Sequence, residues 1–156
     1  MPSKWDEELG RRMQDEHKAL HQLMQVLKEH IATTPGVNSA QWLDALRVGF
    51  GRLHAHVKRS IAIKEQDGYL ETILKERPTL AKQVAAIKSE NDQLLRLADD
   101  IDHDLTATHP EDRLLVGDAC VRIQRYLAMI SQHEQRENMT GPVCLHCRRL
   151  CLASFS

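Results

Sequence analysis

Aromatic residues fill only 4% of the 156 positions, and the side-chain inventory leans instead on Leu, Ala, Met, Glu, Gln, Lys and Arg. These side chains lose little rotamer freedom in a helix, so an all-α fold is expected. No apolar run approaches the ~18 residues of a membrane span, and the polar start Met1 to Arg12 lacks the apolar centre of a signal peptide. A cytoplasmic location is the expectation. An excess of either charge is also missing: 21 Lys and Arg stand against 22 Asp and Glu, interspersed, for a net charge of -1. Such a surface has no electrostatic footprint for a phosphate backbone or an anionic lipid surface, so neither nucleic acid nor membrane is an expected partner. Only four cysteines occur, three of them within the last thirteen residues, which is no disulfide framework. Nucleophile triads, phosphate loops and nucleotide fingerprints are absent as well, and the chain is read as a non-enzyme.

What remains is the composition of one soluble domain, 42% apolar and 28% charged. Three stretches punctuate it: Thr33 to Ser39, the break around Arg77-Pro78-Thr79, and Thr106 to Pro110. Each is built from turn and capping residues. Between them lie four long segments with apolar residues at alternating spacings of three and four, the seam of a helix facing a bundle core. The first seam is Leu9, Met13, His17, Leu20, Met24, Leu27 and Ile31. The second is Leu43, Leu46, Phe50, Leu53, Val57, Ser60 and Lys64, followed by Gln66-Asp67-Gly68, which is expected to bend or loosen the helix before Tyr69 and Leu70. The third runs Leu80, Val84, Ile87, Asn91, Leu94, Ala98, Ile101 and Leu105. The fourth runs Val116, Ala119, Ile123, Tyr126, Ile130, His133 and Glu137. Short connections between long helices favour antiparallel neighbours, which predicts an up-down-up-down four-helix bundle.

Each seam is interrupted by polar residues, and the interruptions fall at one level along the bundle. They also repeat: a lone polar residue precedes an i,i+4 polar pair twice, as His17 with Ser60 and Lys64, and as Asn91 with His133 and Glu137. Buried polar groups are costly without partners, so their convergence calls for a metal or a closed hydrogen-bond network. Histidine and carboxylate one helical turn apart, facing further such residues, is how bundles hold transition metals.

The segments Asp15-Glu16-His17 with Leu20, Ser60 to Leu70, and His133-Glu134-Gln135-Arg136-Glu137 resemble the hemerythrin-like family with its HHE cation-binding domain, across roughly Glu8 to Asn138. The resemblance implies a lone histidine on helices one and three and a His-x-x-x-Glu pair on helices two and four around a non-haem di-iron centre. By that pattern His17, His133 and Glu137 are of ligand type. Ser60, Lys64 and Asn91 stand where histidine, glutamate and histidine are expected. Serine and asparagine are poor iron ligands, and the Lys64 ammonium brings positive charge into a pocket suited to cations. The leading expectation is therefore a degenerate site without metal, in which Lys64 faces Glu137, and a scaffold, regulatory or partner-binding role. The alternative is a metal-binding protein for oxygen or iron sensing, transport or storage. It would hold one Fe or Zn on His17, His133 and Glu137, or a di-iron centre with His56 and Glu90 as substitute ligands.

The remaining histidines have plainer readings: His30, His103 and His109 as helix-end residues, and His21, four residues after His17, with the pair His54 and His56 as outward-facing surface residues in preference to a peripheral metal site. Residues 1–138 are expected to form the bundle and 139–156 a flexible tail. In that tail Cys144, His146, Cys147 and Cys151 crowd together without the second ligand pair of a structural zinc site. A docking role would show as an exposed apolar strip formed by Trp5, Leu23, Val26 and Trp42.

Overall fold

The computed structural model describes residues 4–66 and 69–140. The chain forms helices α1 (Lys4–Ala32), α2 (Ser39–Gln66), α3 (Tyr69–Glu76), α4 (Ala81–Ala107) and α5 (Arg113–Thr140), with a single 3-10 turn at Pro78–Leu80 before α4. Among the described residues there is no strand, and no helix is long and apolar enough to cross a membrane. The cysteine-bearing tail expected at 139–156 lies outside the described residues from position 141 onward, with Cys144, His146, Cys147 and Cys151 in it; so does the side chain of Trp5.

Local chemistry accounts for the ends. The first connection is held by a compact cluster in which Thr33 Oγ1 donates to the His30 carbonyl at 2.6 Å and Trp42 Nε1 donates to Thr33 Oγ1 at 3.0 Å. His30 stacks on Trp42 with ring centroids 4.6 Å apart, and its Nε2 reaches the Trp42 carbonyl at 2.9 Å. Arg47 reaches across from α2 to the end of α4, donating to the carbonyls of Leu105 (2.8 Å) and Thr108 (2.6 Å), two acceptors that the helix itself leaves unpaired. Asp112 caps α5, its Oδ1 accepting from the Leu115 backbone N–H at 3.2 Å. Before Pro78, Arg77 lies outside the helical region (φ −137°, ψ 80°), which the proline ring disfavours for its predecessor.

The second segment is interrupted where the sequence reading expected the helix to bend or loosen: α2 ends at Gln66 and α3 starts at Tyr69. Gly68 carries the entropic cost of glycine in a helix, and Asp67 favours turns over helix interior.

Helix α1 packs on α2 and α5, α2 on α4, and α4 on α5, while α3 packs against α2 and α4. Their seams form a main core that includes Met24, Leu27, Leu43, Leu46, Phe50, Leu53, Ala98, Ile101, Ile123 and Tyr126. Phe50 and Tyr126 meet edge to face at 5.8 Å. At Gly49 a Cβ would come within 3.2 Å of the Leu27 side chain, so the missing methyl lets α1 and α2 approach closely. A second, smaller cluster joins Leu70 and Ile73 of α3 to Val84 and Ile87 of α4, with Met13, Leu74 and Leu80 against it.

Candidate functional site

The two apolar clusters do not merge, and the residues between them are the polar interruptions of the seams. On α4, Val84 and Ile87 belong to the small cluster, Leu94 and Ala98 belong to the main one, and the fully buried Asn91 separates them. On α2 the main core ends at Ile61, and Lys64 follows before the small cluster resumes at Leu70. On α5 it ends at Ile130, and His133 and Glu137 follow. A polar layer thus crosses the interior.

Its centre is an ion pair. Lys64 Nζ on α2 donates to Glu137 Oε2 on α5, and both side chains are largely buried. His133, 8% exposed in its side chain, lies between two carboxylates: Nδ1 is 2.7 Å from Glu90 Oε2 on α4, and Nε2 is 2.8 Å from Glu137 Oε1, off the line a hydrogen bond requires. Arg136 also donates to Glu90 from the solvent side. Asn91 Nδ2 donates to Glu65 Oε1 at 3.3 Å, while Asn91 Oδ1 has no hydrogen-bond partner among the described residues. Ser60 is partly buried one turn before Lys64. Burial alone would push the Glu137 carboxyl up, but the Lys64 ammonium and the His133 ring outweigh it and bring it down from 4.5 to about 2. The cation held against Glu137 is therefore the protein's own ammonium.

His17 lies at the rim rather than in this layer. Its side chain is 49% exposed, and Nδ1 sits 3.0 Å from Glu134 Oε1 on α5. His21, one turn later on α1, places Nε2 3.0 Å from the other oxygen of the same carboxylate. The hydrogen bond to Glu134 raises the His17 pKa above 6.5, against the opposing effect of burial. Burial would raise Glu134, but the hydrogen bond and charge of His17, with those of His21, lower it instead.

His56, read from the sequence as a surface residue, is 3% exposed. Its Nε2 lies 3.0 Å from the Glu16 backbone carbonyl and 3.1 Å from Glu16 Oε2, and Arg59 donates to its Nδ1 at 3.2 Å. It ties α2 to α1 and points away from the Lys64–Glu137 pair in its bonding. The reading went astray because α2 touches α1, α3 and α4, so its buried arc is wider than a single seam. His54 is likewise mostly buried and lies 2.9 Å from Asp99. His30 and His109 do bond at helix ends, His109 Nδ1 accepting from the Glu111 N–H. Sequence reasoning passed over Glu134 and Glu65, although Glu134 adjoins His133 and Glu65 adjoins Lys64, and it named Glu90 only as a substitute ligand.

Of the apolar strip considered for docking, Val26 is exposed while Leu23 and Trp42 pack partly against the core. An open groove between α4 and α5, lined by Glu90, Gln93, Met129, Gln132, His133 and Arg136, gives solvent a route to the edge of the polar layer. Comparison with known proteins finds no matching family model, curated protein or solved structure.

Proposed function

We propose that this chain is a hemerythrin-like, up-down-up-down bundle whose cation site has become an internal charge network, and that it acts as a non-enzymatic scaffold or partner-binding protein. The observation that carries the reading is the Lys64–Glu137 ion pair, because it sets an ammonium against a carboxylate that would otherwise serve as a metal ligand. The topology is supported by cross-helix pairs that join early residues of one helix to late residues of the next. Glu16 meets His56, Arg47 meets Thr108, and Glu90 meets His133.

The donor set does not fit a di-iron centre. Ser60 and Asn91 offer neutral oxygen donors of low affinity for iron, and His17 is engaged at the rim by Glu134. An ion on Glu137 Oε2 would have to displace Lys64, at roughly 3–5 kcal/mol by the usual penalty for breaking a buried pair, and one on Oε1 would share its carboxylate with the Lys64 ammonium and be repelled by it. What the layer supplies instead is specificity. A polar contact at one level along the bundle fixes which helices meet and in which register, and the apolar clusters on either side supply stability.

The test is iron binding in solution, with the native chain beside the triple variant Ser60→His, Lys64→Glu, Asn91→His. The expected result is a native chain that stays colourless after ferrous loading and exposure to air, and a variant that takes up about two irons per chain, as two facing His-x-x-x-Glu pairs allow. A native chain that binds iron in the bundle interior would overturn the proposal.

A further inference from the structure

The structure holds one cluster that the charge network does not use. His17 and His21 lie one turn apart on α1, which puts both rings on one face of the helix. The rings are 4.4 Å apart and tilted by 52° rather than stacked flat. Glu134 on α5 completes the set, with one carboxylate oxygen 3.0 Å from His17 Nδ1 and the other 3.0 Å from His21 Nε2. Donor atoms of the three residues lie within 4.8 Å of one another.

We infer that His17, His21 and Glu134 form a surface binding site for a borderline divalent transition ion of the zinc class, bridging α1 and α5. The geometry needs little change to accept one. Bonds of ~2.0–2.1 Å in a tetrahedron set neighbouring donor atoms about 3.3 Å apart. Each nitrogen lies 3.0 Å from a different oxygen of Glu134, and one donor atom from each residue falls within 4.8 Å of the others, so small side-chain rotations would bring them onto one ion. Two imidazoles and one carboxylate are the ligand chemistry of zinc, nickel and cobalt rather than of magnesium or calcium, which take oxygen ligands. The half-exposed rings leave the fourth position to water, so an ion can enter without opening the bundle. Lys64 and Glu137 act on His17 in opposite directions.

This site uses neither Lys64 nor Glu137, but it shares His17 with the three-ligand alternative of His17, His133 and Glu137 and so competes with it. Its consequence is structural: α1 and α5 make few direct contacts compared with the other neighbouring helices, and an ion here would clamp the two together.

The experiment uses the full-length chain, reduced and freed of metal by chelator, titrated with zinc against a chromophoric indicator and separately with cobalt. Variants are His21→Ala, Glu134→Gln and Glu137→Gln. His21 is half exposed, so its loss leaves the fold intact. The native chain is expected to show a site whose zinc affinity falls roughly tenfold or more in His21→Ala and in Glu134→Gln, the scale on which ligand-shell losses act, and is kept in Glu137→Gln. Cobalt should give d–d bands of a nitrogen and oxygen site. The inference is overturned if His21→Ala binds zinc as the native chain does, if Glu137→Gln, with its helical circular dichroism intact, alone removes binding, or if bound cobalt shows only thiolate charge-transfer bands, which would place it on the cysteines.

Discussion

Replacing Glu137 by glutamine separates the charge of the network from its shape. Glutamine keeps the side-chain volume and a hydrogen-bond acceptor for Lys64, but it leaves the ammonium, whose side chain is 16% exposed, without its counter-ion. Holding the carboxyl at about 2 instead of 4.5 corresponds to about 3 kcal/mol at neutral pH, since each tenfold change in acidity is worth ~1.4 kcal/mol. Because the folded-state pKa lies below the unfolded one, the contribution is complete above the unfolded value near 4.5. It is lost as pH falls from there through about 2. Glu137→Gln should therefore lower the unfolding free energy at pH 7 by about 3 kcal/mol, or the melting temperature by ~6–12 °C for a chain of this size. Near pH 2 the native chain and the variant should converge.

Lys64→Met alone should also destabilise, because it strands the carboxylate. The double variant Lys64→Met, Glu137→Gln should recover most of the loss, with a coupling of about 2–3 kcal/mol. Urea unfolding followed by circular dichroism at several pH values measures all four proteins. If the two single losses simply add, or if Glu137→Gln is as stable as the native chain at pH 7, the pair does not hold the layer together and the argument fails.

Two further outcomes follow from the same packing. Gly51 and Gly117 lie inside helices with open space where a Cβ would be, so Gly51→Ala and Gly117→Ala should each raise stability by about 0.5–1 kcal/mol in urea titrations. Gly49→Ala should gain less, or lose, against Leu27. The Tyr126 hydroxyl is buried with no hydrogen-bond partner among the described residues, and burial raises its pKa. Tyr126→Phe should therefore leave stability unchanged or raise it by up to about 1 kcal/mol; a loss larger than that would reveal a bond the hydroxyl makes.

Much of this layout was legible in the sequence. After Leu80, which falls in the 3-10 turn and is only partly buried, the third seam matches the buried face of α4 residue for residue, Asn91 included, because one helix with a steady 3.6-residue period shows its core side directly. That Lys64 would face Glu137 followed from the polar interruptions of the seams falling at one level of the bundle. The partners of the histidines did not. Glu134 to His17 and His21, Glu90 to His133, and Glu16 to His56 depend on how each helix is rotated and tilted against its neighbour, and a one-dimensional pattern carries no such rotation. The division of the second segment between Gln66 and Tyr69 was legible in Gln66-Asp67-Gly68, whereas the packing of Leu70 and Ile73 against Val84 and Ile87 of α4 was not.

The most direct measurement is a crystal structure of the native chain grown in ferrous iron, with anomalous maps at the iron absorption edge. The account predicts that Lys64 Nζ stays on Glu137 and that no anomalous peak lies among His133, Glu137 and Asn91. A peak there, bound by His133 and Glu137 with Lys64 swung away, would contradict it.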